Sequence, residues 1–172
     1  MKDFDVLRGY REMAEGGHQF RGLTLLNSVD AIAPLLLKHG CRSMLDYGSG
    51  AGDAYMQPHS IAEKLGLQRD VIRCYDPSFP QHAVAPLGTF DAVVCSDVLE
   101  HVPESKVAGF ISNLFSYADK LVWASVCCRK AKKVFPGTSI NLHCTVYPFQ
   151  WWRAQFERQA VPGVEWVLVE AL

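Results

Sequence analysis

A short apolar run that stops on an acid and then on three alternate glycines, Met44-Leu45-Asp46-Tyr47-Gly48-Ser49-Gly50-Ala51-Gly52, constrains this chain more than any other stretch. Such residues suit a buried strand ending in a sharp turn, because glycine lacks a Cβ and lets the backbone pass close to a neighbour or a ligand. The strand is expected over residues 43–46, and four further strands at Val71 to Tyr75, Ala92 to Cys95, Leu121 to Val126 and Val164 to Val169. Between them, residues 104–118 carry Val107, Phe110, Ile111, Leu114, Phe115 and Ala118, whose gaps of three and four put one stripe on a helix. Strands alternating with helices imply a doubly wound, mostly parallel α/β sheet, which binds ligands beyond the carboxyl ends of its strands.

The weaker elements are read from caps and breakers. Ser28 can cap a helix running to Lys38, with Gly40 as its stop and Pro34 kinking or dividing it. Ser60-Ile61-Ala62-Glu63 has the spacing of a capping box and predicts a short helix ending near Gly66. Pro148 opens a helix to Phe156, and residues 129–147 form a long irregular connection. Residues 1–27 show no clean period and are expected to act as a lid or cover, with Tyr10, Arg11 and His18 over a ligand at the strand ends or over the sheet face.

At 172 residues, with 49% apolar and 20% charged composition, the chain suits a single domain with its own core. A net charge of −1 gives no general attraction for nucleic acid, and the basic run 129–133 reads as a solvated loop. The six cysteines include no C-x-x-C pair, and Cys and His are not clustered, so no metal site is expected. Residues 1–13 lack the apolar core of a signal peptide, and nothing has the length of a membrane span. A reduced, cytoplasmic protein is expected.

A second segment, Phe90 to Pro103 (FDAVVCSDVLEHVP), is another buried strand emptying into an acid-rich loop. In this order and at this distance, the two segments resemble the cofactor cleft of class I S-adenosylmethionine-dependent methyltransferases. The likeness is to short stand-alone members of the type 11/12 kind, and Asp91 belongs to it. It covers residues 28–128 well and the remainder loosely. It implies a Rossmann-like methyltransferase fold and S-adenosylmethionine as cofactor. The turn Asp46, Tyr47, Gly48, Ser49, Gly50 and Gly52 would hold the amino-acid end, Asp46 by its ammonium and the amides after the turn by its carboxylate. Asp76 and Pro77 would meet the ribose, though Asp76 also suits a plain turn with Pro77. Ser96, Asp97 and Val98 would line the cofactor, and His101 or Glu100 would face the acceptor. Histidine suits proton removal near neutral pH, yet methyl transfer needs little beyond in-line placement, and His101 also suits a local bond to backbone. Asn141, His143 and Trp151 are candidates for an aromatic-lined acceptor pocket, the tryptophans being better suited to cover the sheet as core.

Rival readings are weighed on particular residues. An NAD fingerprint asks for G-x-G-x-x-G, and Asp53 stands where the third glycine belongs. The stretch Asp76-Pro77-Ser78-Phe79 faintly resembles a DNA amino-methylation motif but follows the wrong strand. Only 15 positions separate Asp76 from Asp91, with Pro77, Pro80, Pro86 and Gly88 among them. The fold is therefore expected to be shortened around the third strand, leaving the adenine edge to backbone and residues 78–88, or cofactor binding weak. Shortening is also expected at the carboxyl terminus, where a bare sheet edge would favour a homodimer. The expected function is methyl transfer to an unidentified acceptor, a small molecule rather than a macromolecule, with no membrane and no nucleic acid as partner. The alternative is a catalytically inactive protein of the same fold acting through cofactor binding or protein contacts.

Overall fold

The protein is described by a computed structural model covering residues 5–18 and 20–171. Met1–Phe4 and Gln19 of the expected amino-terminal cover, and Leu172, lie outside the described residues. Five strands, β1 (Met44–Tyr47), β2 (Ile72–Tyr75), β3 (Phe90–Ser96), β4 (Ala118–Val126) and β5 (Glu165–Glu170), form one sheet in the order β2-β1-β3-β4-β5. Every pairing is parallel. Of four helices, α1 (Val6–Glu15), α2 (Val29–Lys38), α3 (Glu104–Ser116) and α4 (Phe149–Gln159), α2 covers one face of the sheet and α3 and α4 the other, giving a Rossmann-like α/β fold, while α1 packs in a separate cluster with Phe135 and Leu142.

Alternation along the strands divides the core. Met44, Ala92, Val94, Leu121 and Trp123 face the side covered by α2, where Val29, Ile32 and Leu36 are buried. Leu45, Val93, Cys95, Val122 and Ala124 face the other side, against Val107, Ile111 and Leu114 of α3 and Trp152 and Phe156 of α4. Burying each large apolar side chain stabilises the fold by roughly 1.5–3 kcal/mol, so both layers hold the sheet firmly. Because the chain leaves β1 for β2 on one side and returns to β3 on the other, the strand order reverses at β1 and β3. In open α/β sheets such a reversal is where ligands bind.

Three local expectations are corrected. Pro34 sits inside an unbroken α2, and Ser28 makes no side-chain cap bond. The missing Pro34 amide costs little there, since the carbonyl it would meet belongs to solvent-facing Asp30. No helix forms over residues 60–66, where Ser60 is left-handed at φ 43° and only turns appear. Burial of Ile61, Ala62, Leu65 and Leu67 fixes that stretch instead. The amino-terminal stretch, for which no period is evident, carries α1, opened by Asp5 accepting from the Arg8 amide at 3.2 Å. No helix is long and apolar enough to cross a membrane among the described residues.

Candidate functional site

Parallel strands deliver three acids to one edge. Asp46 lies within β1 near its carboxyl end, Asp76 directly after β2, and Asp97 directly after β3. Asp46 is buried and accepts a hydrogen bond from the Tyr55 hydroxyl at 3.0 Å. Burial, only partly offset by that bond, pushes its carboxyl up to about 7. Asp76 accepts from the Gly50 amide at 3.0 Å and from the Ser78 amide at 2.8 Å, and the Ser78 hydroxyl donates to it as well. Asp97 adopts a left-handed φ of 54° and is held by Ser125, whose hydroxyl donates to Oδ1 at 2.8 Å while accepting from the Asp97 amide at 3.0 Å.

The glycine turn sits between these acids. A Cβ on Gly48 would lie 2.4 Å from a methyl of Val98, so the turn packs directly on the loop after β3. A Cβ on Gly50 would lie 2.2 Å from the Phe20 carbonyl oxygen, with φ at 55°. Gly52 lies beside Cys74 and His82, and His82 Nε2 is 3.2 Å from the Ala51 carbonyl. Ser49 is buried within the turn, and Ser96 lies 3.4 Å from Ser125 between their hydroxyl oxygens. Tyr47 turns its ring into the α3-side core, against Tyr75, Phe110 and Tyr117, leaving only its backbone to the turn.

The amino-terminal segment covers this turn. The Ala51 amide donates to the Phe20 carbonyl at 2.8 Å, and the Asp53 amide to the Arg21 carbonyl at 3.0 Å. Arg21 also pairs with Asp53 at 2.7 Å. Arg11 on α1 donates to the carbonyl of Pro77 at 3.0 Å. Tyr10 donates to the Leu142 carbonyl at 2.9 Å and its oxygen lies 2.5 Å from His101 Nδ1. Tyr10, Arg11, Phe20 and Arg21 thus bridge the loops after β1, β2 and β3, with the ring of His18 against Phe20. Sequence reasoning gave no role to Phe20, Arg21 or Ser125. Gly22 was the one signal available: its φ is 70°, and a Cβ there would lie 2.1 Å from the Ser49 carbonyl oxygen.

Beyond Asp97 the chain makes a short 3₁₀ turn, Leu99–His101, before α3. The stretch 144–145 runs beside it: the Thr145 amide donates to the Glu100 carbonyl at 3.1 Å, Thr145 Oγ1 to the Val102 carbonyl at 2.6 Å, and Cys144 Sγ to the His101 carbonyl at 3.2 Å. His143 is thereby brought against His101, with ring centroids 4.8 Å apart. Glu100 is 1% exposed; its Oε1 accepts from the Cys127 amide, while Oε2 has no hydrogen-bond partner. Burial pushes Glu100 up to about 8, and burial together with neighbouring His143 pushes His101 down to about 4. His101 is therefore neutral near pH 7.

The other acceptor candidates are placed differently. Asn141 is occupied in holding its own loop, accepting from the amides of Ala131 and His143 and donating to the Ala131 carbonyl. Trp151 stacks on Tyr147 at 4.3 Å, and the Tyr147 hydroxyl donates to Glu104 of α3. Asp91 lies at the amino end of β3, paired with Lys120 at 2.8 Å and accepting from the Arg42 amide, at the opposite end of the strand from Asp97. Neither a protein-family model nor a curated protein sequence matches this chain.

Proposed function

We propose that the chain binds S-adenosylmethionine across the carboxyl ends of β1, β2 and β3 and transfers its methyl group to an acceptor held beside His101, a small molecule being favoured. The observation that carries this reading is the placement of Asp46 and Asp76 on either side of the glycine turn at the strand-order reversal. Asp46 fits an ammonium group, being a buried carboxyl whose described partner is a neutral hydroxyl. Asp76 fits a ribose diol by its position one strand over.

When bound, this cofactor supplies a methyl group on a sulfonium, a carbon already joined to a good leaving group. The chain's own part is then placement and proton removal. Asp46 and Asp76 fix the two ends of the ligand. Neutral His101 takes a proton at Nε2 from the acceptor oxygen or nitrogen as that atom is methylated, its Nδ1 being engaged by Tyr10 and the Leu142 carbonyl.

A second reading is favoured by a specific observation: the amides of Gly50, Ala51 and Asp53 already have protein acceptors. On that reading the cleft is architecture, and the protein works through contacts with a partner. Calorimetric titration with S-adenosylmethionine and with S-adenosylhomocysteine separates the two, run beside Asp46→Asn and Asp76→Ala. Micromolar binding to the native chain, weakened at least tenfold in both variants, is the expected result. Absence of heat and of any thermal shift with either ligand overturns the cofactor reading.

A further inference from the structure

The cluster formed by Glu100, His101 and His143 has a feature that proton transfer does not use. One donor atom from each of the three residues lies within 4.8 Å of the others, among the described residues. They come from the turn after β3 and from the loop after β4, and Thr145 and Cys144 clamp those two segments together. The grouping is therefore built by backbone rather than by chance approach of long side chains.

Two independent observations say what these donors face. First, Glu100 Oε2 is buried and has no hydrogen-bond partner, although a buried carboxyl oxygen ordinarily has one. Second, both imidazoles turn Nδ1 towards a backbone carbonyl: His143 at 2.5 Å from Arg129 and His101 at 3.1 Å from Leu142. A carbonyl only accepts, so Nδ1 carries the proton on each ring. Tyr10 fits the same assignment, since its hydroxyl donates to the Leu142 carbonyl and leaves its oxygen to accept from His101 Nδ1. Nε2 is then the nitrogen of each ring that remains to offer a lone pair. Metal-ligating imidazoles are ordinarily held in this way, the other ring N–H donating to a carbonyl or a carboxylate.

We infer that Glu100 Oε2, His101 Nε2 and His143 Nε2 form a binding site for one divalent transition-metal ion. Two imidazole nitrogens and one carboxylate suit zinc, cobalt, manganese or iron(II), and disfavour magnesium and calcium, which prefer all-oxygen sets. Ligand atoms at about 2.0–2.2 Å from such an ion stand roughly 3–3.5 Å apart. A bound ion would therefore draw the three donor atoms closer together than the 4.8 Å within which they lie. Three ligands leave further coordination positions for water or for an acceptor group.

This inference does not rest on cofactor binding. It does bear on His101, because one Nε2 lone pair serves either a metal or a proton, not both at once. His143→Ala separates the roles: it removes a ligand and leaves His101 in place.

The test uses the full chain stripped with a chelator, with no nucleoside present. Cobalt(II) and zinc are titrated into native protein, Glu100→Gln and His143→Ala, reading visible absorption for cobalt and heat for zinc. Far-ultraviolet circular dichroism establishes that each variant is folded. The expected result is one ion per chain in the native protein, a cobalt spectrum without a thiolate charge-transfer band, and affinity at least a hundredfold lower in both variants. Glu100→Gln keeps the shape of the side chain, so it reports on the site even where His143→Ala fails to fold. No binding by the native chain, undiminished binding in a folded variant, or a thiolate band pointing to the free cysteines would each overturn the site.

Discussion

The amide of Gly50 donates to the carboxylate of Asp76 at 3.0 Å, joining the turn after β1 to the loop after β2. Asp76 also takes both donors of Ser78, so one side chain organises two of the three loops at the carboxyl edge of the sheet. Asp76→Ala is expected to lower unfolding free energy by about 1–3 kcal/mol, the usual cost of leaving hydrogen-bond donors without a charged acceptor. Asp76→Asn, which keeps one acceptor oxygen, should lose less. Urea denaturation of the three proteins checks the order.

Asp46 sets a pH dependence whose sign is fixed by its raised pKa. Its carboxyl titrates near 7 in the folded chain, above the ordinary value of 3.8. The folded state therefore holds a proton that the unfolded state has released between those values. This contribution to stability is full below about pH 4 and is lost as pH rises through 7. Asp46→Asn should gain on the native chain by at least about 1 kcal/mol between pH 5 and pH 8. Glu100 and His101 titrate in both proteins and cancel in the difference. A pH-independent difference in urea midpoints would contradict the assignment.

Gly22 tests the amino-terminal cover. A Cβ there meets the Ser49 carbonyl oxygen at 2.1 Å, backbone against backbone, and the φ of 70° is unfavourable for alanine. Gly22→Ala should cost about 1–3 kcal/mol of local stability and loosen residues 20–22 from the turn. Arg21 is the reporter, because trypsin cleaves after arginine. Cleavage there should be about fivefold faster or more in the variant, on the view that proteolysis follows local opening. An unchanged rate would mean the cover is not held by this contact.

Neighbouring tryptophans on α4 should behave differently. Trp152 is fully buried against the sheet, whereas Trp151 is half-buried and stacked on Tyr147. Trp152→Ala is expected to cost about 3–5 kcal/mol and Trp151→Ala under about 2 kcal/mol. Thermal or denaturant unfolding compares them directly.

The central strands β3 and β4 were legible because each carries a continuous apolar run with alternate residues facing two helix layers, which is how a buried parallel strand must read. α3 was legible through its stripe from Val107 to Phe115. α1 was not, since its buried side is only Val6, Gly9 and Met13 among charged residues. The stretch after Gly52 misled because a capping-box spacing is a local signal, and tertiary burial outweighed it. At the site, the glycine turn and the acids at the strand ends could be read from contiguous residues. The meeting of His143 with Glu100 and His101 could not, because α3, β4 and a long loop intervene and contacts of Leu142, Cys144 and Thr145 with the turn after β3 bring them together.

The carbonyls of Phe20 and Arg21 have a consequence for any measured affinity. The protein supplies its own occupant of the turn amides, at an effective concentration fixed by the chain itself. A ligand carboxylate that uses those amides binds by exchange, and its apparent dissociation constant is the intrinsic one divided by the fraction of molecules with the segment displaced. Each 1.4 kcal/mol or so by which the segment favours staying in place weakens apparent binding about tenfold. Strengthening this short contact or releasing it would shift ligand response across orders of magnitude without altering a single ligand-contacting side chain.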